Sequence, residues 1–372
     1  MRFGLLLFVS GCLFARAPAP PPEDVFYPAP PQEPRIQYLA TFESTRDVVG
    51  PPSWFRRFVV GDEPASGLGK PYGVAIHGGE IFVCDTRSNV VVIMNLVDRS
   101  VELLGARANG RLHKPINVAV DDDGTRYVAD TGLRRILVYD STNAFQRAYG
   151  DPERWSPSDL AISGERLYVA DVRNGRVAVL DKATGRELGR IGRKGSGRGE
   201  LVFPTNVAVD RNEHVFVADT GNSRVVEFAP DGEFVRQIGS LGRKLGQFVR
   251  PKGIAVDREG RVYVVDSAFE NVQIFDSEGR LLLFFGGRGN APGGLNLPAT
   301  VAVDYDNVGL FADRVAAGRE IEHLILVSSQ FGRNKVNVYG FLAPARPGGA
   351  TQTGRTQDGP RSRAHAGQGA RR

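Results

Sequence analysis

Apolar residues in most of this chain come in short runs, closed by turns rich in Gly, Asp and Asn. Between residues 204 and 238 the runs are Asn206 to Val209, His214 to Ala218, Arg224 to Phe228 and Phe234 to Ile238. Their β-branched and aromatic content predicts strands, and pairs such as Asp123-Gly124, Asp231-Gly232, Glu259-Gly260 and Glu278-Gly279 predict the tight turns of antiparallel meanders. No run holds a 3.6-residue period for a useful length, which excludes a helical solenoid.

The pattern repeats. Lys70-Pro71-Tyr72-Gly73-Val74-Ala75-Ile76, followed by Ile81-Phe82-Val83-Cys84-Asp85, is echoed by Lys114-Pro115-Ile116-Asn117-Val118-Ala119-Val120 and Tyr127-Val128-Ala129-Asp130. Further units open at Pro157, Pro204, Pro251 and Pro298, at intervals of 44, 42, 47, 47 and 47 residues. A second landmark is Asp85, Asp130, Asp171, Asp219 and Asp266, with Ser329 in the sixth position. Six units of four strands predict an all-β, six-bladed propeller. The sixth unit ends near Phe341 without a fourth run. Residues 35–42 have the missing alternating character and are expected to supply the outer strand of the last blade, closing the ring.

These units closely resemble the NHL repeat, whose pattern is a Pro, then Val-Ala-Val-Asp, then Tyr-Val-Ala-Asp-Thr-Gly-Asn and Arg. The match is nearly literal in Pro204 to Phe228 and good in Pro115 to Tyr139 and Pro251 to Phe275. The resemblance spans roughly residues 68–340 and implies a six-bladed NHL-like propeller over 35–342. Blade six departs from it through an insertion at 305–322 and Ser328-Ser329 in place of Ala-Asp. A second insertion, 50–67, carries Trp54, Phe55 and Phe58. Phe311 to Arg319 is expected to form a short helix.

The termini have another character. Arg2, the apolar run Phe3 to Val9 and then Ser10-Gly11-Cys12 make residues 1–11 a short export signal that resembles a bacterial lipoprotein's, with Cys12 as the lipidated residue. By that resemblance, Leu13 implies the outer membrane, facing the periplasm or cell surface. Residues 12–34 hold eight prolines from Pro18 to Pro34 and are expected to form an extended spacer without helix or sheet. Residues 343–372, with six arginines against Asp358, are expected to be a disordered basic tail. That tail accounts for the whole chain's formal net charge of +5, so the body is near neutral and the high pI is no argument for nucleic acid.

Within the body the charge is sorted. The links between blades contain Arg107, Arg111, Lys114, Arg193, Lys194, Arg198, Arg243, Lys244, Arg250 and Arg288, with Arg154, against Asp151, Glu153 and Glu200. Outer-to-inner links share one face of a propeller, so that face is expected to be basic and to dock an acidic protein or another anionic partner. Asp85, Asp130, Asp171, Asp219 and Asp266 open tight turns, and an Arg five residues on (Arg135, Arg176, Arg224) sits across the hairpin. A structural role is expected for them. Gly192 to Gly199 has the look of a phosphate loop but precedes a strand, not a helix. Cys84 lies in an apolar strand and reads as an inert thiol.

Positions facing the central channel should be Gly73, Asn117, Asp159, Asn206, Gly253 and Thr300. Asn117, Asp159 and Asn206 could hold a weak Ca²⁺ through oxygen ligands. Otherwise no cofactor or metal is called for, and no catalytic constellation emerges. Lyases built on this kind of propeller use channel histidines and a metal. Here the two positions after each repeat proline contain no histidine, and His77, His113, His214 and His323 fall at unrelated places. Three functions therefore remain: a lipid-anchored, non-enzymatic binding scaffold, favoured here, a metal-dependent enzyme of lyase or lactonase type, and an RNA-binding propeller should the chain not be exported.

Overall fold

Each repeat folds as a four-stranded antiparallel meander, and the six meanders stand around one axis. The computed structural model describes residues 24–50, 67–107 and 109–344. The export signal, Cys12, most of the 50–67 insertion and residues 345–372 lie outside the described residues. Blade 4 shows the plan: Pro204–Val209 lines the axis, then come Val215–Asp219, Arg224–Phe228 and, outermost, Phe234–Ile238. The other inner strands are Pro71–His77, Pro115–Val120, Pro157–Ser163, Pro251–Val256 and Pro298–Asp304. Each begins on its repeat proline, where a strand tolerates the missing N–H. Each also slips register just after it.

Most side chains on both faces of the middle strands are apolar, because each blade is sandwiched between two others; buried Glu227, Gln273 and Asn337 are among the exceptions. The core is consequently six wedges rather than one mass. Phe82, Ile93, Val128 and Tyr139 fill the wedge between blades 1 and 2, for example, and Tyr263, Phe285, Ile325 and Tyr339 fill the one between 5 and 6. The expected turns are present: Gly232 and Gly279 sit at φ of 88° and 80°, a region closed to most side chains.

Ring closure takes the expected form. Ile36–Phe42 pairs antiparallel with Val336–Leu342, the third strand of blade 6, with Ile36 opposite Phe341 and Phe42 opposite Val336. A fifth strand was not foreseen. Phe26–Tyr27 adds to the outside of Ile36–Phe42, inside the segment read as a spacer without sheet. Those two residues escape the rule because the prolines flank them, and Tyr27 packs its ring near Phe285 and Tyr339, at 6.1 and 6.2 Å. The helix in the 305–322 insertion is a 3-10 turn over Val308–Arg314, earlier than expected. Its Phe311 is buried in the wedge between blades 6 and 1, and buried Gln37 ties the insertion to the closing strand through Arg314 O and Ala316 N, both at 3.0 Å. The insertion thus covers the end of blade 6. No helix among the described residues is long and apolar enough to cross a membrane.

Candidate functional site

The landmark aspartates are buried and join two backbone segments. Asp219 accepts hydrogen bonds from the N–H groups of Val202 and Phe203, both at 3.0 Å, in the link entering its blade. It also accepts from the Asn222 amide at 2.6 Å and faces Arg224 at 3.6 Å. Asp85, Asp130 and Asp266 bridge link to turn through backbone N–H groups on both sides, and Asp171 through Ser156 N and the Asn174 amide. Ser329 keeps the link half of this role in blade 6, accepting from Asn296 N at 3.2 Å. Burial alone would raise the Asp85 carboxyl, yet four backbone N–H donors hold it below the ordinary carboxylate value. The arginine partner is less regular. Arg176 reaches Asp171 at 3.5 Å, whereas Arg135 is exposed and forms no ion pair with Asp130.

This staple fixes the links, and the links carry the cations. Residues 192–199, with their phosphate-loop look, form a small loop closed by the parallel pairing of Arg193–Lys194 with Glu200–Leu201. The next two links close alike, through Leu241 with Phe248 and Arg288 with Leu295. Leu201, Phe248 and Leu295 plug each loop from beneath, fully buried, so the polar residues above them are displayed outward. All ten link cations are exposed. Arg193 pairs with Glu200 at 3.0 Å, Arg288 with Glu270 at 3.3 Å, and Arg198 lies over the Phe234 ring. Among the described residues, Arg107, Arg111, Lys114, Lys194, Arg243, Lys244 and Arg250 form no ion pair. The same face bears Arg87, Arg134 and Arg173 on the turns between second and third strands, all exposed and all missed from sequence. Exposed Phe203, Leu241, Leu245 and Phe331 stand among them. An open groove of about 870 Å³, lined by Trp155, Arg154, Arg173, Arg190 and Lys194, crosses the face at blade 3.

The opposite face leans acidic for a local reason. Asp140, Asp181, Asp210, Asp257 and Asp276 each begin a tight turn there and accept its N–H groups.

The channel positions converge as the sequence suggests. Asn117, Asp159, Asn206 and Thr300 line one cavity of about 290 Å³ whose walls are apolar, among them Ile76, Val120, Leu160 and Val303. Gly73 and Gly253 stand where neighbouring inner strands nearly touch. A Cβ on Gly73 would lie 2.6 Å from Asn117 Cα, and one on Gly253 2.5 Å from Thr300 Cα. Asp159 is held by the Asn117 amide and by Val207 N at 2.9 Å. Burial nevertheless pushes its carboxyl up to about 7. Asn206 Oδ1 and Thr300 Oγ1 are buried without a hydrogen-bond partner. No group of three or more His, Cys, Asp or Glu side chains able to hold a metal occurs among the described residues.

A raised carboxyl in the folded state means that folding takes up a proton between about pH 4 and 7. The contribution of Asp159 to stability is therefore greatest at low pH and declines as the pH rises through that window. In denaturant titrations at pH 4.5 and 8, D159N should gain on the wild type at the higher pH. A difference between the two proteins that does not change with pH would contradict this.

Two channel residues escaped the sequence reading. Tyr72 and Lys252 occupy the position directly after the repeat proline, one step nearer the basic face; Lys252 is buried and Tyr72 half-buried. The Lys252 amine lies 4.8 Å above the Tyr72 ring, across the inner ring from blade 5 to blade 1. Alignment of the repeats could have found them, since the same offset holds Ile116, Ser158, Thr205 and Ala299. Cys84 is fully buried and its thiol is pushed well up by burial. His323 is buried beside Tyr263 and Phe341, and burial followed by the charge of Arg261 lowers it to about 3. Neither histidine nor thiol reaches the channel.

The chain is a six-bladed β-propeller, and its repeats resemble the NHL pattern. Residues 154–230 match the sequence model of a family described as a 6-bladed beta-propeller. A 65-residue stretch is 43% identical to protein lin-41 of Caenorhabditis elegans, covering 18% of this chain and only 6% of that protein. Among solved structures, a Bacteroides thetaiotaomicron protein of unknown function aligns with a TM-score of 0.58 at 18% identity, over 82% of this chain and 75% of that one. A Xanthomonas campestris gluconolactonase gives 0.54 at 18% identity, over 74% and 86%. Virginiamycin B lyase from Staphylococcus aureus gives 0.51 at 11% identity, over 74% and 85%. At these identities the structural likenesses establish the fold.

Proposed function

We propose that this propeller is a non-enzymatic binding scaffold, exported and held at the bacterial outer membrane by a lipid on Cys12, that docks an acidic protein partner on its link face. The observation that carries the reading is the concentration of exposed cations, most without a carboxylate partner, around exposed Phe203, Leu241, Leu245 and Phe331. Apolar residues supply contact area and the cations steer and orient an acidic partner. Once a partner is captured, R193E/K194E/R243E/K244E should weaken its binding by at least about a hundredfold at low salt, as expected for several charge reversals at one interface. Unchanged affinity in a titration would overturn the reading. The anchor is tested separately: C12A should move the protein from the membrane to the soluble fraction, and an unaltered distribution would remove the lipid from the proposal.

The channel supports a second reading, an enzyme of lyase or lactonase type with a metal held by Asn117, Asp159, Asn206 and Thr300. The orphaned oxygens of Asn206 and Thr300 favour it. The donor set is all oxygen, which suits Ca²⁺, but it has one carboxylate, already accepting two hydrogen bonds and titrating near neutrality. The fit is that of a weak site. Stoichiometric metal in the purified protein would favour the enzyme over the scaffold.

A further inference from the structure

Buried amines ordinarily sit beside a carboxylate or hydrogen-bond to carbonyl oxygens, because an ammonium stripped of water is costly. Lys252 does neither. Its side chain is 8% exposed as a whole, and among the described residues its amine, which still reaches solvent at the channel mouth, has no protein hydrogen-bond acceptor and no ion-pair partner. Its one polar contact is the face of the Tyr72 ring. The charges that bear on it are further cations, Arg250 on the link before its own strand and Lys70 on the link before blade 1. Lys70 likewise makes no ion pair among the described residues, and it lies 5.4 Å over the exposed Phe331 ring. Three cations from two blades thus converge on the channel mouth at the basic face, with the rings of Tyr72 and Phe331 as apolar neighbours.

We propose that this mouth is an anion pocket that receives a carboxylate on an apolar stem, an acidic side chain or the C-terminus of a partner peptide, with Lys252 as the buried counter-charge and Lys70 and Arg250 as its rim. The inference deepens the docking reading above and rests on it for the direction of approach. A carboxylate there would supply the acceptors that Lys252 lacks, and the aromatic rings would cover its stem. Burial first, then Arg250 and Lys70, lower the Lys252 amine to about 8. A bound anion would draw it back up. Binding therefore takes up a proton near pH 8, and affinity should fall as the pH rises from 7 to 9.5. The other groups facing the site are Tyr72, pushed up to about 12 by burial and then by Asp159, together with the permanently charged Arg250 and the accessible Lys70.

The probe is an N-acetylated, C-amidated hexaglutamate peptide, with hexaglutamine and inorganic phosphate alongside, titrated calorimetrically against the full chain. Expected are binding of hexaglutamate alone, at least tenfold weakening in K252Q, and protection of Lys252 from acetylation in the wild-type protein, read by peptide mass spectrometry. Equal affinity in K252Q, or Lys252 acetylated equally fast with and without hexaglutamate, overturns the pocket. Phosphate protecting Lys252 as well as the peptide overturns its assignment to a carboxylate. Should K252Q fail to fold, the protection measured on the wild type decides. Loss of binding in R193E/K194E/R243E/K244E with K252Q unaffected would sink the pocket and leave the docking face. The reverse pattern would keep the pocket and sink the face.

Discussion

A chain that begins at residue 50 should fail to melt cooperatively and should aggregate. It lacks the strand Ile36–Phe42, in which Ile36, Leu39, Ala40 and Phe42 are buried. Each large apolar side chain among them contributes about 1.5–3 kcal/mol by burial. Their loss also uncovers Val336–Leu342, whose seven residues are all buried, and leaves its backbone groups unbonded at a new sheet edge. The combined penalty is comparable with the entire stability of an ordinary domain, about 5–15 kcal/mol. Thermal melts followed by circular dichroism, with size-exclusion chromatography for aggregation, measure it. A midpoint within about 4 °C of the full chain, equivalent to roughly 2–3 kcal/mol at this size, would show that the closing strand is dispensable.

The second large effect is expected from D219A. Asp219 is fully buried and answers Val202 N, Phe203 N, the Asn222 amide and Arg224, itself 7% exposed. Removing the carboxylate leaves buried donors unsatisfied and a buried guanidinium without its counter-charge, a loss of about 3–5 kcal/mol. D219N keeps an acceptor but not the charge and should fall between. The exposed Asp122, whose carboxylate lies at a turn on the other face, supplies the comparison, since D122A should change stability by less than about 0.5 kcal/mol. Denaturant midpoints at constant slope report all three. D219A indistinguishable from D122A would mean that the staple between link and turn carries no energy.

Much of this architecture was legible because the same local solution is written six times. A proline that opens an inner strand, an alternating apolar run and an Asp at the next turn recur at nearly constant spacing, so noise in any one copy is averaged by the others. The closing strand was legible by subtraction, since blade 6 lacked a fourth run. What resisted was whatever occurs once. Phe26–Tyr27 sits among prolines, and composition says spacer although the two residues between the prolines are free to pair. The single-copy insertion of blade 6 revealed its length but not that Phe311 would anchor it. At the candidate site, the basic links could be read because topology puts them all on one face. The aspartates' main task was not, since a carboxylate bonding N–H groups 16 or 17 positions earlier leaves no mark in the local pattern. Lys252 too occurs once, since the same offset in the other blades holds Tyr72, Ile116, Ser158, Thr205 and Ala299, so no repeat of charge marks it.

Sealing the circle with its first strand also orders events during synthesis. Blades 1 to 5 are assembled from neighbouring segments, and each can form as its residues leave the ribosome or a translocation pore. Ile36 must wait for Phe341, a separation of roughly 300 residues, among the slowest kinds of contact to form. Through that interval the leading strand is a bare, apolar β-segment open to pairing with other chains. The hazard of misassembly is thus concentrated in Ile36–Phe42 and lasts until Val336–Leu342 has been made.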